Sequence, residues 1–372
     1  MRLESRRRDR AIIEGASSLR VVSFLKKHAY VVAAFLLLAA LLYFWLRHAG
    51  HFDWVGFRAN LADADPWWVA ASCLLITLSY LGRAIRWQLM LRPISPNPNF
   101  AGLVSATIIG FTATVFFGRA GEFVRPYLIA RKEGVSVSSQ LAVWVAERIF
   151  DLLMVLLLFG FALSQLDKGA ANITPRVAAI LEAGGWALGF LALVCLIAIT
   201  SFRYFHDGLR DRLLDALGFL PEPALHKATR FLDSFGEGML ATRDPRSLTL
   251  LFVYSVLEWM VLILVGYCVM HALPGTRILT LHDTMIVLGF VAFGGSVQLP
   301  GIGGGSQVAT IFTLTEIYKV SGEAASGAAV LLWLVNLVIV VPFGLVLALR
   351  EGLHWKEMKD AVRNLEPPTT TS

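Results

Sequence analysis

Three charged residues in five positions, Glu147-Arg148-Ile149-Phe150-Asp151, stand inside an apolar run that covers 138–165. Arg148 and Asp151 are three apart and Glu147 and Asp151 four apart, so on a helix all three share one face. Glu147 lies some ten residues from the start of the run, about 15 Å along a helix at 1.5 Å per residue. An ionised group at that depth in a bilayer costs about 2.5–3.5 kcal/mol unless it is paired. Two chemistries fit: a buried ion network that ties helices together, or a site that holds a charged headgroup or passes a proton. Arg119, Glu122 and Arg125 recur at intervals of three where a second apolar segment breaks. Guanidinium forks match phosphate oxygens, and a helix beginning at such a break offers its free N–H groups to an anion. The competing reading is a basic interfacial cluster set by topology.

Glu258, beside Trp259, falls in the middle of the run 247–271. It is a partner for Arg148, a protonatable coupling group, or a helix-packing hydrogen bond. Pro300-Gly301-Ile302-Gly303-Gly304-Gly305-Ser306 is glycine-rich but lacks the Lys-Ser/Thr of a nucleotide loop. Gly301, Gly303 and Gly304 would instead let backbones approach or free N–H groups for a ligand. Glu316 is a weaker candidate and Asn336 a packing contact. No His-Glu-x-x-His motif and no Gly-x-Ser-x-Gly elbow occurs, and the eight histidines are scattered. The expectation is a protein without enzymatic activity, metal or cofactor.

The elements that position these residues are membrane helices. Hydrophobic residues make up 56 % of the 372 and charged residues 16 %, against nearer 45–50 % and about 25 % in soluble domains. Cys73, Cys195 and Cys268 all fall within apolar runs, which excludes a disulfide framework and a thiolate metal site. Crossing about 30 Å of hydrocarbon takes roughly 20 apolar residues. Six segments qualify: 29–47, 67–91, 138–165, 179–201, 247–271 and 327–349. Two more, 100–130 and 282–317, are interrupted by glycine, proline or charge. The first run follows a strongly basic stretch, and its length marks it as an uncleaved span rather than a signal peptide.

The surplus of 33 Lys and Arg over 27 Asp and Glu is read as topology, with no nucleic-acid partner. If both interrupted segments are re-entrant, 26 of the 33 basic residues fall on one side of the membrane, in 1–28, 83–99, 119–132, 203–246 and 350–372. The positive-inside rule makes that side cytoplasmic and puts both termini there. The predicted fold class is therefore all-α: a polytopic membrane protein with six full spans plus two re-entrant segments. A basic N-terminus (1–28) precedes a transmembrane domain (29–349), and a cytoplasmic tail (350–372) follows it. Halves 29–165 and 179–349 each read span, span, re-entrant, span, from opposite sides: a 4+4 inverted-topology repeat. Paired interrupted segments of this kind point to a transport site near the midplane. The connector 203–246 carries an apolar stripe of Leu225, Phe231, Leu232, Phe235 and Met239, either interfacial on the cytoplasmic leaflet or a solvated linker helix.

Gly118-Arg119-Ala120-Gly121-Glu122-x-x-Arg125, Glu147-Arg148-x-x-Asp151 and Pro300-Gly301-Ile302-Gly303-Gly304 together resemble the lysylphosphatidylglycerol synthase transmembrane-region family, the flippase-like domain proteins. Within it the chain is similar to the hopanoid-biosynthesis-associated membrane proteins. The resemblance implies a multi-pass protein of the bacterial inner membrane that moves, or helps to move, a polar-headed lipid between leaflets. The lipid would be anionic or glycosylated, and lipid-biosynthesis enzymes would be partners. On this reading Arg119, Arg125 and Arg148 bind an anionic headgroup, and Glu122, Glu147, Asp151 and Glu258 balance them. The full-length synthases carry an aminoacyl-transferase domain after the membrane part. With none before Ser372, lysyl transfer is not expected. A secondary transporter of a small solute and a non-transporting partner in lipid or glycan assembly are the rivals. The sequence sets no oligomeric state.

Overall fold

Most helices begin where a short polar side chain covers a free backbone amide. The computed structural model describes residues 52–165, 221–240, 244–299 and 303–352, with isolated positions between 184 and 217. The chain divides into two compact units, Met1–Trp54 and Val55–Ser372, and the elements named here lie in the second. They begin with α1 (Pro66–Leu91), α2 (Phe100–Phe117), α3 (Val124–Glu133) and α4 (Val137–Ser164). α5 (Glu222–Gly238), α6 (Pro245–Ala272) and α7 (Leu281–Gly294) follow. The two-residue strands β1 (Gln298–Leu299) and β2 (Gly303–Gly304) lead into α8 (Gly305–Phe312) and α9 (Gly322–Arg350).

Asp65 accepts from the Trp67 N–H ahead of α1, Asn99 from Gly102 ahead of α2 and Ser136 from Ser139 ahead of α4. Asp244, Thr280 and Ser321 do the same for α6, α7 and α9. Such caps satisfy amides that have no partner within the helix, a need that sharpens in hydrocarbon.

Four helical stretches are long and apolar enough to cross a membrane: Pro66–Leu91, Phe100–Glu133, Pro245–Ala272 and Gly322–Arg350. α4, 28 residues long, is set apart from them by the ionised side chains in its middle. Four of the six predicted spans are thus present as single helices. The span 29–47, just over half of 179–201, the basic N-terminus and the tail beyond 352 lie outside the described residues.

The two interrupted segments are hairpins. In the first, α2 and α3 are joined by a tight 3-10 turn, Gly118–Phe123. Its two ends meet, since the Asn99 N–H donates to Glu133 Oε1 at 3.0 Å. A Cβ on Gly121 would stand 2.3 Å from the Ala113 carbonyl oxygen, and one on Gly110 would stand 2.5 Å from Arg125 Cβ. Glycine is what allows this approach. The second hairpin pairs α7 with α8. A Cβ on Gly294 would lie 2.3 Å from the Gly305 oxygen, and Tyr318 Oη reaches the Asp283 carbonyl at 3.4 Å. α7, with 14 residues, spans only about 21 Å, short of a membrane crossing. Both tips turn on a glycine with positive φ, Gly118 at 62° and Gly304 at 134°. Beyond the tip β1 and β2 pair antiparallel, Gln298 opposite Gly304 and Leu299 opposite Gly303.

The connector stripe has a specific destination. α5 packs on the start of α4, where a Cβ on Gly238 would meet the Ser139 carbonyl at 2.2 Å. Met239 is fully buried there, whereas Phe231 is exposed. The C-terminal end of the connector is held by protein, which departs from the expectation of a helix resting on the leaflet along its whole stripe.

Candidate functional site

Arg86 is the centre of the polar interior. It is 1 % exposed and sits on α1. Its Nη2 donates to Glu147 Oε1 at 2.7 Å. Its Nη1 donates to Asp151 Oδ1 at 2.7 Å and to Ser255 Oγ at 3.2 Å, and lies 3.3 Å from Glu258 Oε2. Arg83, one turn earlier on the same helix, pairs with Glu258 Oε1 at 2.9 Å. Arg125 on α3 pairs with Glu147 and stacks over Trp87, with 4.2 Å between its guanidinium carbon and the ring centroid. Arg148 reaches Asp151 at 3.0 Å and Glu147 at 3.3 Å.

Four helices are therefore tied by one ion network: α1 through Arg83 and Arg86, α3 through Arg125, α4 through Glu147, Arg148 and Asp151, and α6 through Glu258. Four guanidinium groups face three carboxylates, leaving one positive charge. Left unpaired in hydrocarbon, each member would cost about 2.5–3.5 kcal/mol, and mutual pairing offsets that cost. Arg148, the most exposed member at 33 % of its side chain, is where the surplus charge is best tolerated.

Sequence reasoning missed Arg83 and Arg86. Both were counted among the basic residues of a cytoplasmic loop, yet both lie within α1. The reason is physical: a count of basic residues by side assigns the charged end of the span 67–91 to the adjoining loop, whereas carboxylates on other helices bury these two arginines within the helix. A signal was present, since Glu147, Asp151 and Glu258 had only Arg148 to balance them. Glu258 pairs with Arg83 and Arg86 rather than with Arg148.

The predicted site residues fall into two groups. Arg125, Glu147, Arg148, Asp151 and Glu258 belong to the buried network. Arg119 and Glu122 pair with each other at the tip of the first hairpin. Arg119 Nη2 also donates to the Gly295 carbonyl, so the tip of the first hairpin meets the tip of the second across 176 residues of chain. Gly303 and Gly304 form β2, where the Gly304 N–H donates to Gln307 Oε1 at 2.7 Å. Gly301 lies outside the described residues.

Beside the junction of the tips is a cavity of about 340 Å³. Its wall takes in Tyr80 of α1, Phe111 and Thr114 of α2, Trp259 of α6, Gly295 and Ser306 of the second hairpin, and Trp333 and Asn336 of α9. Tyr80 Oη donates to Asn336 Oδ1 at 2.9 Å, so Asn336 is more than a packing contact: it fixes a polar group on the wall. Val297 lines the rim and is 62 % exposed, which leaves the cavity open on an apolar side. Among the described residues no group of three or more His, Cys, Asp or Glu is placed to hold a metal ion.

A family model described as the lysylphosphatidylglycerol synthase transmembrane region matches residues 31–344. The chain belongs to this family. The matched stretch of the lysylphosphatidylglycerol synthase transmembrane region takes in both hairpins, the ion network and the cavity wall. A curated relative, glycosyltransferase AglD of Haloferax volcanii, is 33 % identical over 125 residues, which is 33 % of this chain and 20 % of that protein. The chain spans about a fifth of that relative's length. No solved structure matches. This is a membrane protein of a family with lipid- or glycan-related function.

Proposed function

We propose that this protein moves a polar-headed lipid between the leaflets of its membrane without chemically altering it. The headgroup passes through the cavity at the junction of the hairpin tips, and the acyl chains stay in the bilayer. The carrying observation is the contact of Arg119 with the Gly295 carbonyl beside that cavity. Two hairpins whose tips meet inside a membrane domain form a thin barrier, and irregular backbone at depth is tolerated where protein or a water-filled cavity satisfies its polar groups. In this reading both hairpins are re-entrant, from opposite sides, within the 4+4 inverted repeat. The ion network, which holds the first hairpin through Arg125, is the fixed frame against which the tips part, and Arg119, paired with Glu122, is the latch through its bond to the Gly295 carbonyl.

The apolar rim at Val297 supports a lipid over a small soluble solute, because acyl chains can remain outside while the headgroup enters. The family description names a phospholipid synthase and the relative's name a glycosyltransferase, which fits a lipid carrying a transferred group.

The test is passage of a fluorescently tagged lipid in proteoliposomes, read by dithionite bleaching of the outer leaflet with and without an imposed proton gradient. Wild-type protein is expected to expose inner-leaflet label that protein-free vesicles protect, and Arg119→Ala is expected to change that rate. Protection identical to that of protein-free vesicles for neutral, zwitterionic and anionic tagged lipids would overturn the proposal.

A further inference from the structure

We infer that the cavity at the hairpin tips receives an uncharged, hydroxyl-rich headgroup, a glycosyl or polyol unit, rather than an anionic one. This rests on the lipid-transport reading and deepens it. None of the described residues lining the cavity is charged. The ionised groups nearby have partners already: Arg119 pairs with Glu122 and donates to the Gly295 carbonyl, Arg83 and Arg125 lie over the Phe111 ring at 5.0 and 5.4 Å and pair with Glu258 and Glu147, and none of the three lines the cavity. A phosphate placed there would lose its water and would have to draw Arg119 away from Glu122 and the Gly295 carbonyl to gain a cation, which is penalised in a low-dielectric site.

What the wall does offer is neutral and two-sided. Gln298, Gln307 and Asn336 carry amide groups, and the hydroxyls of Tyr80, Ser306 and Thr310, whose hydrogens go to Asn336 Oδ1, Gln307 Oε1 and the Ser306 carbonyl, keep lone pairs that accept. A sugar hydroxyl also donates and accepts, so such a set can satisfy several hydroxyls without any net charge. Trp259 and Trp333 add flat indole faces, which suit the C–H faces of a sugar ring as they suit other apolar surfaces.

A second observation points to a missing partner. Trp259 Nε1 is buried, and among the described residues no group accepts its hydrogen. Trp259 borders the cavity. Buried donors in folded proteins nearly always have an acceptor, and a ligand hydroxyl oxygen would supply one once the Trp259 ring turns its N–H into the cavity.

The test is native mass spectrometry of the full chain released from phosphatidylcholine nanodiscs that hold equal amounts of a glucosyl diacylglycerol and phosphatidylglycerol. The wild type is expected to retain the glucosyl lipid over phosphatidylglycerol by about tenfold or more. Trp259→Phe keeps an aromatic face and removes the unpartnered N–H together with the five-membered part of the indole. It is expected to lower the glucosyl adduct by about three- to tenfold, as for one hydrogen bond and a smaller ring face, with a melting temperature lowered only by the few degrees of a large-to-small change. Preference for phosphatidylglycerol, no preference, or a glucosyl adduct unchanged in Trp259→Phe would overturn the inference. Transport of either tagged lipid in proteoliposomes would even then leave the transport reading standing. In a further arm methyl glucoside replaces the glycolipid. Methyl glucoside binding as strongly as the glycolipid, and lost in Trp259→Phe, would support the hydroxyl-rich ligand while overturning its lipid source.

Discussion

Arg86→Met tests whether the ion network holds the helices together. Arg86 makes three ion pairs, at 2.7 Å to Glu147, 2.7 Å to Asp151 and 3.3 Å to Glu258, and its side chain is buried. Breaking a buried pair by removing one partner costs about 3–5 kcal/mol, because the remaining charge is left uncompensated. Three such penalties do not add here. Glu147 keeps Arg125, Asp151 keeps Arg148 and Glu258 keeps Arg83. The surplus of one cation means that removal leaves three guanidiniums facing three carboxylates. No carboxylate is orphaned, so the expected loss is that of Arg86's charge-assisted hydrogen bonds, about 3 kcal/mol. At about 2 °C per kcal/mol for a larger chain this lowers the melting temperature by about 6 °C. The assay is thermal unfolding of purified protein in mild detergent, followed by tryptophan fluorescence. Arg86→Lys, which keeps the charge but not the fork, should lose less. Arg119→Ala, whose side chain is 48 % exposed, should lose about 1 kcal/mol or less. An Arg86→Met melting temperature within about 2 °C of the wild type would refute the reasoning.

Two further outcomes follow from the geometry. Gly121→Ala and Gly294→Ala should each destabilise by about 3 kcal/mol or more, the upper end for overpacking, because a Cβ would sit 2.3 Å from a backbone oxygen in both. Gly82→Ala, with nothing within 4 Å of the new carbon, should be neutral or stabilising by up to about 1 kcal/mol, and the same melting assay separates the three. Asp244, at the start of α6, accepts from the Ser247 N–H at 2.9 Å and its hydroxyl at 2.8 Å, and these bonds hold its carboxyl below the ordinary value. A depressed folded-state pKa stabilises above the unfolded value, near pH 4, and the gain disappears as pH falls through the folded value. Asp244→Ala should therefore melt below the wild type at pH 7, and the gap should narrow at pH 3.

The amino-acid sequence discloses the helices well and their partners poorly. α1, α4, α6 and α9 follow from apolar length, and the breaks at Gly118 and Gly304 follow from glycine placed where a helix cannot continue. Glu147, Arg148 and Asp151 announce themselves as charges in a span, because their spacing is local. Which residues meet them is set by packing across long stretches of chain, so the sequence leaves three readings open for Glu258 and does not single out Arg83 and Arg86 as its partners. Arg83 and Arg86 were placed in water for the same reason: the carboxylates that let them stay in the membrane are 61 or more residues away. The contact of Arg119 with Gly295 has no local signature, since its acceptor is a backbone carbonyl that any residue carries. Trp259 was named only as the neighbour of Glu258, and its role on the cavity wall depends on α9 and the second hairpin arriving beside it.

The central claim is that a lipid headgroup passes through the cavity at the junction of the tips. Its most direct measurement is transport of a tagged lipid by a Val297→Cys chain in which Cys73, Cys195 and Cys268 are replaced by Ala, before and after reaction with a bulky maleimide. Val297 lines the cavity rim and is open to reagent. Leu257→Cys, exposed on α6 and away from the cavity wall, is the control. The account predicts that labelling at 297 stops transport while labelling at 257 leaves it intact. Transport that continues unchanged with residue 297 fully labelled would contradict it.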